Sequence, residues 1–269
     1  MRDFNACFEI CLNQKNTGKH IFFDNQGNIL LDAETNSFIS SDMTIKNDAY
    51  KVYESKTSAI FISQQNEIKS NFICLKQREI LRYLRDEYDL MIYSRAAQLF
   101  SWVKSYNYCS TDGTRLSSIN EDLSKSCSSC QKSIFPKISP CILVAVLSDE
   151  KILLAKHLNT PFFTVLAGFV EYGETLEECV VREVYEEVGI KVHDLKYHGS
   201  QTWPFPNQLM VGFIAKAYDT EIMPDHSEIE SAEWFDKSNL PNIPPRLSLS
   251  RSLIEKALNF LPVSHHFFS

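Results

Sequence analysis

The segment from Gly168 to Ile190 constrains this chain more tightly than any other. It reads Gly168, five residues, Glu174, seven residues, then Arg182-Glu183-Val184-Tyr185-Glu186-Glu187-Val188-Gly189-Ile190. At a chance of roughly one in twenty per fixed position, seven such matches coincide about once in 10⁹ windows, so composition alone does not produce the pattern. Its local physics predicts a helix. Thr175 followed three residues later by Glu178 is a capping box, and Gly189 stands where a helix can close. Leu176, Val180, Val184 and Val188 recur every four residues and form one apolar stripe for a core. Glu183, Glu186 and Glu187 follow at i, i+3 and i+4, so their carboxylates converge on a neighbouring face. Carboxylates that close repel unless something neutralises them. A hard divalent cation with oxygen ligands does so, and Mg²⁺ in particular binds through few carboxylates plus water and substrate phosphate. A lone Glu-x-x-Glu-Glu would read better as a solvated acidic face. The register of Gly168, Glu174, Arg182 and Gly189 around it favours the cation.

With 269 residues, the chain is long for one domain and comfortable for two. Before about Tyr93 it holds short strand-like pieces. Ile21-Phe22-Phe23, the turn residues Asp24 to Asn28, and Ile29-Leu30-Leu31 predict a hairpin, and residues 58–63 and 71–75 predict further strands. Ala96, Ala97, Leu99, Phe100 and Val103 carry a helical period. Residues 109–130 turn polar and read as a small linker module. Strands are then expected over residues 141–147, 152–155, 164–170 and 209–218, with a closing helix over 248–260.

Hydrophobic content of 44% and charged content of 23% describe an ordinary globular chain. No apolar run reaches membrane-spanning length, and the start lacks the apolar core of a signal peptide. The net charge of −7, with no block of Lys or Arg, gives no linear footprint for nucleic acid, although a patch assembled in three dimensions stays open. Cys74, Cys141 and Cys179 lie singly in apolar stretches, which predicts reduced, buried thiols in a cytoplasmic protein. His265 and His266 read as tail residues.

The Gly168–Ile190 pattern resembles the Nudix box of Mg²⁺-dependent hydrolases that split nucleoside-linked diphosphates. Just after it, Ser200-Gln201-Thr202-Trp203-Pro204-Phe205-Pro206-Asn207-Gln208-Leu209-Met210 resembles the S-Q-x-W-P-F-P-x-S-L-M motif of the NADH pyrophosphatase family, whose bacterial members also remove NAD caps from RNA. Ile138 to Ile142 and Thr164 to Glu171 resemble that family's lead-in strand and its approach to the box. The resemblance implies an α/β (α+β) chain: a Nudix α/β/α sandwich with a mixed sheet at 137–269, after a β-rich N-terminal domain at 1–108 and a zinc-ribbon-like linker at 109–136. It implies hydrolysis of NAD(H) to NMN(H) and AMP with Mg²⁺ or Mn²⁺, and possible action on NAD-capped RNA. Alternatives are another nucleoside diphosphate, such as ADP-ribose or a diadenosine polyphosphate, and a non-catalytic NAD sensor. The closely placed glutamates argue against the sensor, since a binder has no need of them.

Carried onto this sequence, the family's metal ligands are the Ala167 carbonyl, Glu183, Glu187 and Glu228, with Glu186 as a further ligand or water-mediated contact. Glu187 or Glu186 is the expected base, and Glu174 is expected to pair with Arg182. The substrate-binding set is Phe135, Phe169, Gln201, Thr202, Trp203, Pro204, Phe205, Pro206, Asn207, Gln208 and Ser250. Two prolines around Phe205 remove two backbone donors, so the segment is expected to run extended and to present its aromatic rings to a dinucleotide. Phe135 falls where the family donates an aromatic from a partner subunit, usually a Tyr, which implies a homodimer. The linker departs from the family. Cys127-Ser-Ser-Cys130 is an intact knuckle, but Asp112 stands where the second thiolate of the Cys109 knuckle belongs. Either a Cys3Asp zinc site or a degenerate ribbon follows.

Overall fold

The structure, a computed structural model, describes residues 10–11, 19–41, 49–54, 59–120, 122–158 and 160–261. Its two compact units are Met1–Lys137 with Pro204–Pro206, and Ile138–Trp203 with Asn207–Ser269. The tail histidines His265 and His266 lie outside the described residues, as does Ser58 at the start of one expected strand.

The first unit holds a six-stranded sheet of β1 (Ile10–Cys11), β2 (Lys19–Phe23), β3 (Ile29–Asp32), β4 (Ala49–Glu54), β5 (Ala59–Gln64) and β6 (Phe72–Leu75). Its spatial order is β1-β4-β5-β2-β3-β6. The predicted hairpin is β2–β3, closed by the Asp24 carboxylate, which accepts from the backbone N–H of Gln26 and of Asn28 at 2.8 Å each. Helix α1 (Glu87–Ser105) begins well before the apolar period that predicted it. Asp86 caps it by accepting from Asp89 N–H, and the buried Asp89 carboxylate is held by Arg85, so polar capping sets this boundary. At the other end Lys125 Nζ donates to the carbonyls of Val103 and Tyr106, at 2.9 and 2.7 Å, satisfying groups that the helix leaves open. Lys125 opens a two-stranded ribbon, β7 (Lys125–Ser126) with β8 (Ser133–Ile134). One expectation fails here. Cys74 is exposed on edge strand β6, with its thiol on Asp24, whereas Cys141 and Cys179 are buried as expected. An apolar neighbourhood in sequence does not show that its strand will stand at the edge of a sheet, open to solvent.

The second unit is the sandwich. Its strands are β9 (Ser139–Ser148), β10 (Lys151–His157), β11 (Leu166–Phe169), β12 (Val192–Trp203), β13 (Gln208–Ala217) and β14 (Ile229–Asp236). They order as β12-β13-β9-β10-β14, with β11 on β9. The sheet is mixed, because β13 runs parallel to β9 from Gln208↔Ser139 to Lys216↔Leu147 while its other pairs are antiparallel. Alternation along β9 supplies both faces. Ile142, Val144 and Val146 meet α2 (Leu176–Val188) through Val180, Val184 and Val188. Leu143, Ala145 and Leu147 meet α3 (Leu249–Leu258) through Leu253, Ile254 and Ala257. Each fully buried valine of the predicted α2 stripe contributes roughly 1.5–2 kcal/mol, enough to fix which side of the helix faces inward.

Strands β12 and β14, the two ends of the sheet order, carry too many charged residues to stand out as apolar runs. The Trp-Pro-Phe-Pro segment also differs from expectation. Trp203 ends β12 opposite Gln208, and residues 204–207 form a tight turn with Asn207 at φ 26°. Fixed proline φ values suit turn corners as well as extended chain, and the hairpin decides between them.

Candidate active site

Helix α2 is closed at both ends by the residues that predicted it. Glu178 N–H donates to Thr175 Oγ1 at 3.2 Å, and Thr175 N–H donates to the Glu178 carboxylate at 2.8 Å. Gly189 takes φ +74° and donates to Tyr185 O at 2.8 Å. That conformation is strained for any residue with a Cβ.

Arg182 organises the acidic face. Its Nε and Nη2 donate to the two oxygens of Glu174 at 2.6 and 3.0 Å. Nη1 donates to Glu183 at 2.9 Å and to Glu186 at 2.8 Å, and Nη2 also reaches the Phe169 carbonyl at 2.9 Å. One guanidinium thereby joins the loop before the helix to two of its carboxylates. These bonds hold the Glu174 carboxyl down at about 2.

Gly168 explains how Glu183 fits. A Cβ placed there would lie 1.8 Å from the Glu183 carboxyl carbon, so any larger residue would push that carboxylate out of its place. Glu187 is the most unusual group in the unit. It is 4% exposed, and burial, then the charges of Glu183 and Glu228, push its carboxyl up to about 8. A backbone hydrogen bond from Ala167 opposes this in part. Its Oε2 has no hydrogen-bond partner among the described residues. Burial also raises Glu183, against the pull of Arg182. Glu186 differs from both, with a side chain 58% exposed that rests on Arg182.

Glu228 comes to this group through the loop before β14. Met223 N–H donates to Val188 O, and Asp225 N–H to Glu187 O, both at 2.9 Å, which pins the loop to the end of α2. Sequence reasoning missed His157 at the end of β10. Burial lowers its pKa, while the Glu228 charge raises it. A histidine two residues after the apolar run Ile152–Ala155 was its only signal.

The proposed substrate residues divide. Both ends of the Gln201 amide are engaged: Nε2 donates to Leu247 O at 2.8 Å, and Oε1 accepts from Leu249 N–H at 2.9 Å. Gln201 therefore fixes the start of α3, whose first turn carries Ser250. Trp203 packs on the α3-face core. Within the first unit, the Phe205 ring lies 6.2 Å from that of Tyr93 and 5.7 Å from the Arg78 guanidinium. Phe169 and Phe135 are 46% and 48% exposed.

In the first unit, ligand atoms of Cys109, Asp112, Cys127 and Cys130 all lie within 4.8 Å of one another. Thr111 N–H points at Cys109 Sγ and Cys130 N–H at Cys127 Sγ, at 3.4 and 3.5 Å. Asp112, oriented by Thr114 N–H at 2.9 Å, lies 3.5 Å from Cys127 Sγ. This hydrogen bond holds the Asp112 carboxyl well below its ordinary range. Three sulfurs and one oxygen this close match the donor chemistry and compactness of a structural zinc site.

Residues 138–256 match the Nudix domain. A Nudix hydrolase from Nitrosomonas europaea shares the fold, with a TM-score of 0.50 over 59% of this chain and 96% of that one at 23% identity. Fold and acidic helix together define a hydrolase of the Nudix class. The likeness extends further along the chain. NAD-capped RNA hydrolase NudC of Photobacterium profundum is 35% identical over 240 residues, which is 88% of this chain and 90% of that protein. Its namesake in Vibrio atlanticus is 40% identical over 195 residues, covering 72% and 71%. This chain belongs to the family of these NAD-capped RNA hydrolases.

Proposed function

We propose that this chain hydrolyses the diphosphate of NAD(H) to NMN(H) and AMP, and removes NAD caps from RNA 5′ ends. The observation that carries the reading is Glu187, a buried carboxylate with an unpartnered oxygen beside two further carboxylates, in a chain similar to NAD-capped RNA hydrolases. Such a group is costly unless a cation completes it. Glu183, Glu187, Glu228 and the Ala167 carbonyl would hold Mg²⁺ or Mn²⁺, all-oxygen donors that suit a hard ion. When bound, that ion supplies charge neutralisation at the diphosphate and a more acidic water.

The chain's own residues supply the rest. Arg182 keeps Glu183 and the Glu174 loop in place, and Gly168 keeps the space between strand and helix open. Of the two candidate bases, Glu186 is occupied by Arg182 while Glu187 is not, so Glu187 is the one suited to help order or deprotonate a water. Phe169, with Phe135 from a second copy in a homodimer, would stack on the nicotinamide ring. Gln201 acts indirectly by placing Ser250, next to the Thr202–Gln208 stretch that would line the adenosine side.

This reading divides the chain by role into residues 1–108, a zinc-binding linker at 109–136, and the hydrolase domain at 137–269, working in the cytoplasm. Among the described residues, no helix is long and apolar enough to cross a membrane. Measuring kcat/KM for NADH, NAD⁺, ADP-ribose and a diadenosine polyphosphate with Mg²⁺ or Mn²⁺ tests the substrate, with NADH expected highest. A clear preference for ADP-ribose refutes it, and tight NADH binding without AMP release replaces the enzyme with a sensor.

A further inference from the structure

The α3-covered face of the sheet carries a basic, aromatic surface that the linear sequence does not disclose. On β13, Phe213 and Ala215 pack toward α2 and Ile214 toward α3, so alternation places Lys216 on the α3 side. Beside it on β12, Lys196 reaches to 6.0 Å from the Phe260 ring, and Lys256 from α3 reaches the same ring at 5.5 Å. Phe260 is 54% exposed, and Tyr218, its ring tilted against that of His193 at 4.3 Å, is 69% exposed. The acid on this stretch of strand is Asp194, which pairs with Lys216 at 3.1 Å, and the nearby Glu255 is taken by Arg251. Among the described residues neither Lys196 nor Lys256 is held in an ion pair.

Three lysines against one carboxylate form a local excess of positive charge on a chain of net charge −7. Cations interleaved with exposed rings are what a single-stranded nucleic acid needs, phosphates on the lysines and bases on the aromatics. Helix α3 links this surface to the proposed adenosine side of the site. Gln201 holds the first residue of α3, and the ten residues of that helix span about 15 Å to the Phe260 end. We propose that this face binds the single-stranded RNA body of a capped substrate, with phosphates on Lys196, Lys216 and Lys256 and a base against Phe260 or Tyr218. The proposal rests on the reading that the chain removes NAD caps.

The test compares capped RNA with free NADH. A triple variant, Lys196→Gln with Lys216→Gln and Lys256→Gln, should keep kcat/KM for NADH within about twofold, because none of these residues serves the diphosphate. Each single-strand phosphate contact contributes about 0.7 to the salt exponent, so three contribute about 2. Between about 50 and 200 mM KCl, wild-type kcat/KM on a 5′-NAD-capped 20-nucleotide RNA should therefore fall about 16-fold more than that of the variant. A second variant, Lys256→Gln with Phe260→Ala, should lose capped-RNA turnover in the same selective way. Equal salt dependence in wild type and triple variant, with NADH turnover intact, overturns the proposal. Displacement of the RNA by poly-glutamate at equal charge also overturns it, in favour of an acidic polypeptide. If the wild type turns over neither substrate, the enzymatic reading fails separately. Anisotropy with uncapped RNA then decides the surface: weaker binding by the triple variant supports it, and equal binding overturns it.

Discussion

Replacing Glu187 by Gln should make the metal-free protein more stable while removing its activity. The carboxyl titrates near 8 in the fold against an ordinary value of 4.5. The fold thus favours the protonated form, and stability present below about pH 4.5 is lost as pH rises toward 8. At 1.36 kcal/mol per pH unit, the loss is about 3 kcal/mol at pH 7 and less than about 1 kcal/mol at pH 5. Glutamine keeps the shape, carries no charge, and offers its amide N–H to Glu183 and Glu228. In chelator at pH 7, Glu187→Gln should therefore melt roughly 9 °C above wild type, taking about 3 °C per kcal/mol, and the gap should nearly close at pH 5. Mg²⁺ or Mn²⁺ should raise the wild-type Tm and narrow the gap, since the cation replaces what the proton supplied. The same substitution should lower kcat at least about 100-fold on NADH. Scanning calorimetry across pH, with and without metal, measures the first effect, and AMP release measures the second. A variant Tm at or below wild type at pH 7, or a gap that does not change with pH, refutes the assignment of a desolvated carboxylate. Wild-type kcat in the variant refutes its catalytic place.

Gly168→Ala should displace the Glu183 carboxylate, since its new Cβ would fall 1.8 Å from the carboxyl carbon. Activity should drop at least about 100-fold with Mg²⁺ affinity, read by NADH turnover and metal titration. Protein purified without added zinc should carry about one zinc per chain, and Asp112→Cys should slow its loss to chelator, because thiolate holds Zn²⁺ more strongly than a carboxylate does. Elemental analysis near zero in both proteins rejects the site. Phe135→Ala should raise KM for NADH, and light scattering should give a dimer at micromolar concentration. A fully active monomer removes the shared site.

What the sequence disclosed was mostly local. Capping at Thr175 and Glu178, closure at Gly189 and the valine stripe of α2 are decided within one or two turns, so residue spacing reports them directly. The pairing of Glu174 with Arg182 bridges eight residues and followed from the family resemblance. Properties that require partners distant in sequence stayed hidden. The burial of Glu187 depends on the sheet beneath it and on the loop that Asp225 pins. The turn at residues 204–207 depends on β12 finding β13, and both amide ends of Gln201 are claimed by residues 46 and 48 positions away. Cys74 is exposed because its strand stands at the edge of the sheet, and the lysines beside Phe260 come from two separate elements, β12 and α3.

The parallel pairing of β9 with β13 bears on the order of assembly. These strands lie at the centre of the sheet, yet Ser139 meets Gln208 only after the whole acidic helix has been synthesised between them. Contacts of that sequence separation are slow to close and cannot begin before the later strand leaves the ribosome. The capped α2 helix can start on its own, while its glutamates stay in water and remain ordinary acids. They become a desolvated, mutually repelling group only when the last central strand docks, so the metal site proposed for them cannot form before that strand is in place.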